Sequence, residues 1–163
     1  MGSSGTSYVI GIDQLRRADV DRVGGKSASL GEMARVLSGS SVGVPPGFAV
    51  TTAAFRRILD AAPGIRRQIA RALETIDYDN FESLFRGASH CRDLVSNLDF
   101  PDDVLEAVTA AYAVLEATAN MPNVDVAVRS SAVSEDSAGA SFAGQYESFL
   151  GVRGHRDVLM ACR

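Results

Sequence analysis

Residues 126–152 read VAVRSSAVSEDSAGASFAGQYESFLGV. Two valine- and aromatic-rich runs, 124–129 (VDVAVR) and 146–152 (YESFLGV, with Tyr146, Phe149 and Val152 apolar), bracket residues 130–145, which are almost all small or polar. The flanks read as strands. Hairpin connections usually run about 2 to 5 residues, so a connection of this length marks the loop as functional.

Outward from this hairpin, the pattern changes to helix. Gly154 and His155 lead into a helical run at 157–162, and residues 65–119 carry helical periodicity in three segments. Ile65, Ile69, Leu73 and Ile76 form one stripe, and Phe81, Leu84, Phe85 and Ala88 a second. Val104, Leu105, Val108, Tyr112 and Leu115 form a third, opened by Asp99 and Pro101. All three are expected to face a core. Further upstream, Pro45 and Pro46 impose extended backbone before a short strand at 48–50. Thr51 or Thr52 is placed to cap a helix whose inner face is Phe55, Ile58 and Leu59, and Pro63 and Gly64 end it. A helix over 27–37 with Leu30, Met33, Ala34 and Leu37 on one face, stopped near Gly39, and a strand within 7–12 complete the reading. The fold class is α+β: a small, mostly antiparallel sheet with a helical layer.

A chain of 163 residues is enough for about one domain and a core of its own. The formal charge of −4 gives no bulk reason to expect nucleic acid or an anionic membrane as partner, so any bound anion needs a local positive feature. Cys91 and Cys162 have neither CxxC spacing nor nearby histidines, so they indicate neither zinc nor a disulfide framework. No signal peptide or apolar run of membrane-spanning length is seen, and the cytoplasm is the expected compartment. Residues 1–7 are read as a disordered start or tag, and residues 8–163 as the folded unit.

Two segments carry candidate chemistry. In the long loop, Ser130, Ser131, Ser134, Ser137, Ser141, Gly139 and Gly144 let backbone approach a phosphate chain and supply donors, and Arg129 stands at the end of the entering strand as a fork for phosphate oxygens. Composition alone leaves open a solvated surface loop with Arg129 in an ordinary ion pair. The second segment is VGGKS, where Gly24 and Gly25 precede Lys26 at a helix start. Of the 16 basic residues Lys26 is the one lysine, and an ammonium beside a helix N-terminus attracts anions. A solvated lysine remains the alternative. A Walker A motif is excluded, because Val20 stands where its first glycine is required, and no GxGxxG is present. Glu135 and Asp136 are adjacent and point apart in most backbones, so they are not read as a metal site.

Taken together, DVDRVGGKSASLGEM (19–33), VPPGFAVTTAAF (44–55) and the 126–152 stretch resemble, in order and spacing, the amino-terminal part of the phosphoenolpyruvate synthase family. The resemblance runs from about residue 8 to the end. It implies the first subdomain of an ATP-grasp-like nucleotide-binding domain. It also implies a transferase that converts ATP, pyruvate and water to phosphoenolpyruvate, AMP and phosphate with magnesium, through a phosphohistidine on another domain. Carried over by position, Lys26 and Arg129 match residues that reach the ATP phosphates, and Ser141, Phe142, Ala143, Gly144 and Gln145 match the glycine loop that covers the nucleotide.

The family's enzymes are several times longer. The second half of the ATP-grasp unit, the magnesium carboxylates, the phosphohistidine domain and the pyruvate domain are expected outside this chain, so no catalytic or metal-binding residue is assigned within it. His90 and His155 match no phosphohistidine motif. Two alternatives stay open: the ATP-binding part of a rifamycin phosphotransferase, and a stand-alone, non-catalytic nucleotide-binding or interaction module.

Overall fold

The computed structural model describes residues 7–133 and 148–163. It is an α+β unit of six helices and two antiparallel pairs of strands among the described residues. Strand β1 (Val9–Gly11) pairs with β2 (Phe48–Val50), Ile10 opposite Ala49. Strand β3 (Val126–Arg129) pairs with β4 (Ser148–Val152), Arg129 opposite Ser148, with an irregularity between Val126 and Val128. The antiparallel pairing expected from the sequence is therefore present, divided between two small sheets.

The period of two along β1 and β2 explains how the unit is layered. Ile10 and Ala49 point into a core with Ile12, Leu15, Val23 and Ala28, on the side of helix α1 (Val20–Val36). Val9, Phe48 and Val50 point the other way, onto Val108 and Tyr112 of α5 (Asp102–Ala119) and Val158 of α6 (Gly154–Cys162). Val126 and Val152 join that second core. The β1–β2 sheet is thus the wall between α1 and the elements that carry the β3–β4 hairpin.

Helix α2 (Thr52–Ala61) starts at Thr51, whose buried hydroxyl accepts the Ala54 N–H at 3.3 Å and donates to the Ser7 carbonyl at 2.8 Å. Of the two threonines, Thr51 is the cap. Ser7, the one residue of segment 1–7 within the described residues, is held by this bond.

The helical layer differs from expectation in which side chains it covers. In α2, Ala54 is fully buried and Phe55 is half exposed. In α3 (Ile65–Glu74), Ile65 and Ala72 are buried while Leu73 is exposed, and in α5 Leu105 is exposed beside buried Val104 and Val108. The largest difference is α4 (Phe81–Ser96), which has no buried residue: Phe81 is 80% and Phe85 63% exposed, with their rings stacked 6.5 Å apart. Periodicity establishes that these residues share a face, and within the described residues little packs on that face. Met33 of α1 is likewise turned outward.

Candidate functional site

Helix α1 begins earlier than the sequence pattern indicates, at Val20, because the DVDR segment is helical. Asp19 accepts the backbone N–H of Arg16 at 2.9 Å and the Arg22 guanidinium at 2.8 Å, which fixes the leading turn. These two contacts, the Arg16 N–H first, hold the Asp19 carboxyl below the ordinary aspartate range. The helix is interrupted at Gly24, whose φ of 77° and ψ of 166° are non-helical. The Asp21 carbonyl ahead of the break receives the Thr52 hydroxyl at 3.2 Å. The segment carrying Lys26 therefore has its own N-terminus, with Gly24 at the cap position and Gly25, Lys26 and Ser27 on its first turn.

A helix start leaves N–H groups without intrahelical partners, and a glycine has no side chain to receive them. Here the acceptor arrives from far along the chain: the Ser27 N–H donates to the Ser131 hydroxyl at 3.0 Å. A Cβ on Gly24 would overlap the Ser131 carbonyl group and stand 2.6 Å from its Oγ. Main chain thus meets main chain where VGGKS touches the serines that follow β3. Further along α1, a Cβ on Gly31 would collide with Leu15, so α1 is also seated closely on the turn after β1.

This contact unites the two segments that sequence reasoning selected. Lys26 is half-buried on the first turn after Gly24, and Arg129 is exposed at the end of β3, two residues before Ser131. The hydroxyl of the intervening Ser130 is buried, with no hydrogen-bond partner among the described residues. The helix start is not open to an anion at every N–H, since Ser131 already engages that of Ser27. The bond between the two segments was missed from sequence. A glycine at a cap position with no capping residue beside it was the signal. Ser141, Phe142, Ala143, Gly144 and Gln145, with Ser134, Glu135, Asp136, Ser137 and Gly139, lie outside the described residues.

The base of the hairpin is tied down separately. Tyr112 donates to the Val124 carbonyl at 2.8 Å and accepts the Gly154 N–H at 2.9 Å, linking α5 to the start of β3 and the end of β4. Glu116 accepts the Asn123 N–H at 2.6 Å and meets His155 Nε2 at 3.1 Å, and the His155 ring stands edge-on to Tyr112. His155 thus belongs to this anchoring cluster. Arg153 forks onto Asp125 across the same end, and its hydrogen bond holds the Asp125 carboxyl below the usual range.

A family model described as pyruvate phosphate dikinase, AMP/ATP-binding domain, matches residues 20–163. The chain belongs to this family. Phosphoenolpyruvate synthase of Escherichia coli (strain K12) is 43% identical over 164 residues, covering 100% of this chain and 20% of that protein. The protein of the same name from Pseudomonas aeruginosa (strain UCBPP-PA14) is 43% identical over 156 residues, covering 96% and 19%. That of Aquifex aeolicus (strain VF5) is 41% identical over 157 residues, covering 96% and 18%. The chain spans about one fifth of the length of these curated relatives.

The match to the AMP/ATP-binding domain starts at Val20, so it takes in the whole of α1, the Gly24 break and the β3–β4 hairpin. Among the described residues of this domain, no three His, Cys, Asp or Glu side chains come together as a metal group, and no helix is long and apolar enough to cross a membrane. An open groove of about 550 Å³ between α3 and α4, lined in part by Gln68, His90, Asp93 and Asn97, includes neither Lys26 nor Arg129. His90 lies in that groove.

Proposed function

We propose that this chain is the phosphate-holding part of an ATP-grasp nucleotide-binding domain of a phosphoenolpyruvate synthase. The observation that carries the reading is the 3.0 Å bond from the Ser27 N–H to the Ser131 hydroxyl, because it brings the helix start bearing Lys26 onto the chain leaving Arg129. The family description and the names borne by the relatives support the nucleotide and the parent enzyme. Lys26 supplies a compact charge and Arg129 a planar fork, two complementary ways of neutralising phosphate oxygens. Ser141, Phe142, Ala143, Gly144 and Gln145, which lie outside the described residues, are assigned to nucleotide binding by the family resemblance. Phosphoryl transfer depends largely on positioning and charge neutralisation, which is the work this half of the site is suited to.

The parent enzyme then works in the cytoplasm and converts ATP, pyruvate and water to phosphoenolpyruvate, AMP and phosphate, with a phosphohistidine on a separate domain as carrier. Among the described residues no three His, Cys, Asp or Glu side chains come together, and this reading assigns the magnesium carboxylates to the second half of the ATP-grasp unit. Binding by this chain alone is weak, because it presents one wall of a clamp and pays the full cost of ligand immobilisation.

Isothermal titration with Mg·ATP tests the reading. The chain should bind in the millimolar range, and the Lys26→Ala/Arg129→Ala double variant should bind at least about tenfold more weakly. Equal affinity in the folded double variant, or no binding by the folded parent chain, would overturn it.

A further inference from the structure

We propose that Ser131 is a positioning residue: its hydroxyl caps the Lys26 segment of α1 from outside the helix and sets Lys26 against Arg129 for a polyphosphate ligand. The role rests on the nucleotide reading above and adds to it a residue that acts through Lys26.

A cap is normally local, from a serine, threonine, aspartate or asparagine at the cap position itself, and accepts the N–H of the second or third residue. At the cap position of this segment stands Gly24, and the N–H of the third residue, Ser27, is received by Ser131 from 104 residues away. A local cap would satisfy the same donor without tying α1 to anything. Gly24 forgoes that and, having no Cβ, leaves room for the Ser131 main chain. Its positive φ would also strain most other residues. The two ends of the contact therefore depend on each other. Of the two adjacent serines after Arg129, only Ser131 engages α1, since the Ser130 hydroxyl has no partner among the described residues.

The consequence is directional. With its N–H engaged, Ser27 holds the first turn in place, and the ammonium of the preceding residue inherits that placement. Loss of the Ser131 hydroxyl should free the turn and blunt Lys26 while leaving both cations present.

The test combines amide exchange with a double-mutant cycle, using Mg·ATP and inorganic triphosphate as probes. In Ser131→Ala, exchange of the Ser27 amide should quicken and both probes should bind about three- to tenfold more weakly. Ser131→Thr, which keeps the hydroxyl, should restore both. In a Lys26→Ala background, Ser131→Ala should cost little further affinity, because its effect passes through the ammonium. General loosening would instead add to the Lys26 effect. Should Ser131→Ala fail to fold, Ser131→Cys, of similar size and a weaker acceptor, carries the same comparison. Unchanged Ser27 exchange, unchanged affinity, or full additivity with Lys26→Ala overturns the positioning role alone. Absence of binding by the folded parent chain overturns the nucleotide reading, and the role with it.

Discussion

The carbonyl of Ser131 occupies the space that a side chain on Gly24 would need. This is a packing reason for glycine in the VGGKS segment, separate from any approach of backbone to phosphate. Gly24→Ala should destabilise the chain by about 1–3 kcal/mol, since it combines a left-handed φ of 77° with a steric collision. Denaturant unfolding measures this, with the slope checked for constancy. A variant as stable as the parent would mean that the two backbones are not in contact.

Tyr112 joins three elements through one oxygen, donating to Val124 and accepting from Gly154. Tyr112→Phe keeps the buried ring and strands both partners, and should cost about 1–3 kcal/mol. Amide exchange should quicken first at Gly154. A loss confined to a few tenths of a kcal/mol would show that water replaces the hydroxyl freely.

A cap at Thr51 or Thr52, the break at Pro63 and Gly64 and the hairpin flanks at Arg129 and Val152 were readable in the sequence, because each is set by neighbours a few positions away. The exposure of Phe81 and Phe85 was not, since periodicity identifies a shared face and is silent on whether anything covers it. Lys26 and Arg129 were selected separately, as cations beside small residues. The contact between their segments through Ser27 and Ser131 depends on tertiary packing around the β1–β2 wall, which no local pattern encodes.

The leading turn of α1 should respond to acid. The Asp19 carboxyl is held below its ordinary range by the Arg16 N–H and by Arg22, so the folded state favours its charged form. Its contribution to stability is present above the ordinary aspartate range and is lost as pH falls through the depressed folded value. The stability difference between the parent chain and Asp19→Asn should therefore be largest near neutrality and shrink with acidification. A difference that stays constant with pH would contradict the assignment.

Burial pushes the Cys162 thiol up to about 11. The thiolate is the reactive form, so in the folded chain Cys162 should resist alkylation at neutral pH and react readily once unfolded. Mass spectrometry after a short iodoacetamide pulse reads this directly. Rapid labelling of Cys162 in the native chain would show that the packing of α6 against the second core is loose.

In the proposed site, Lys26 and Arg129 act on one ligand at the junction of α1 and β3. The most direct test is a 15N NMR titration of the chain with Mg·ATP, following backbone amides and the Arg129 side-chain Nε–H. Saturable shifts should concentrate at residues 24–28 and 129–132 and be absent from the α3–α4 groove around His90 and Asp93. Shifts that cluster in that groove, or that touch α1 without Arg129, would contradict a shared phosphate site.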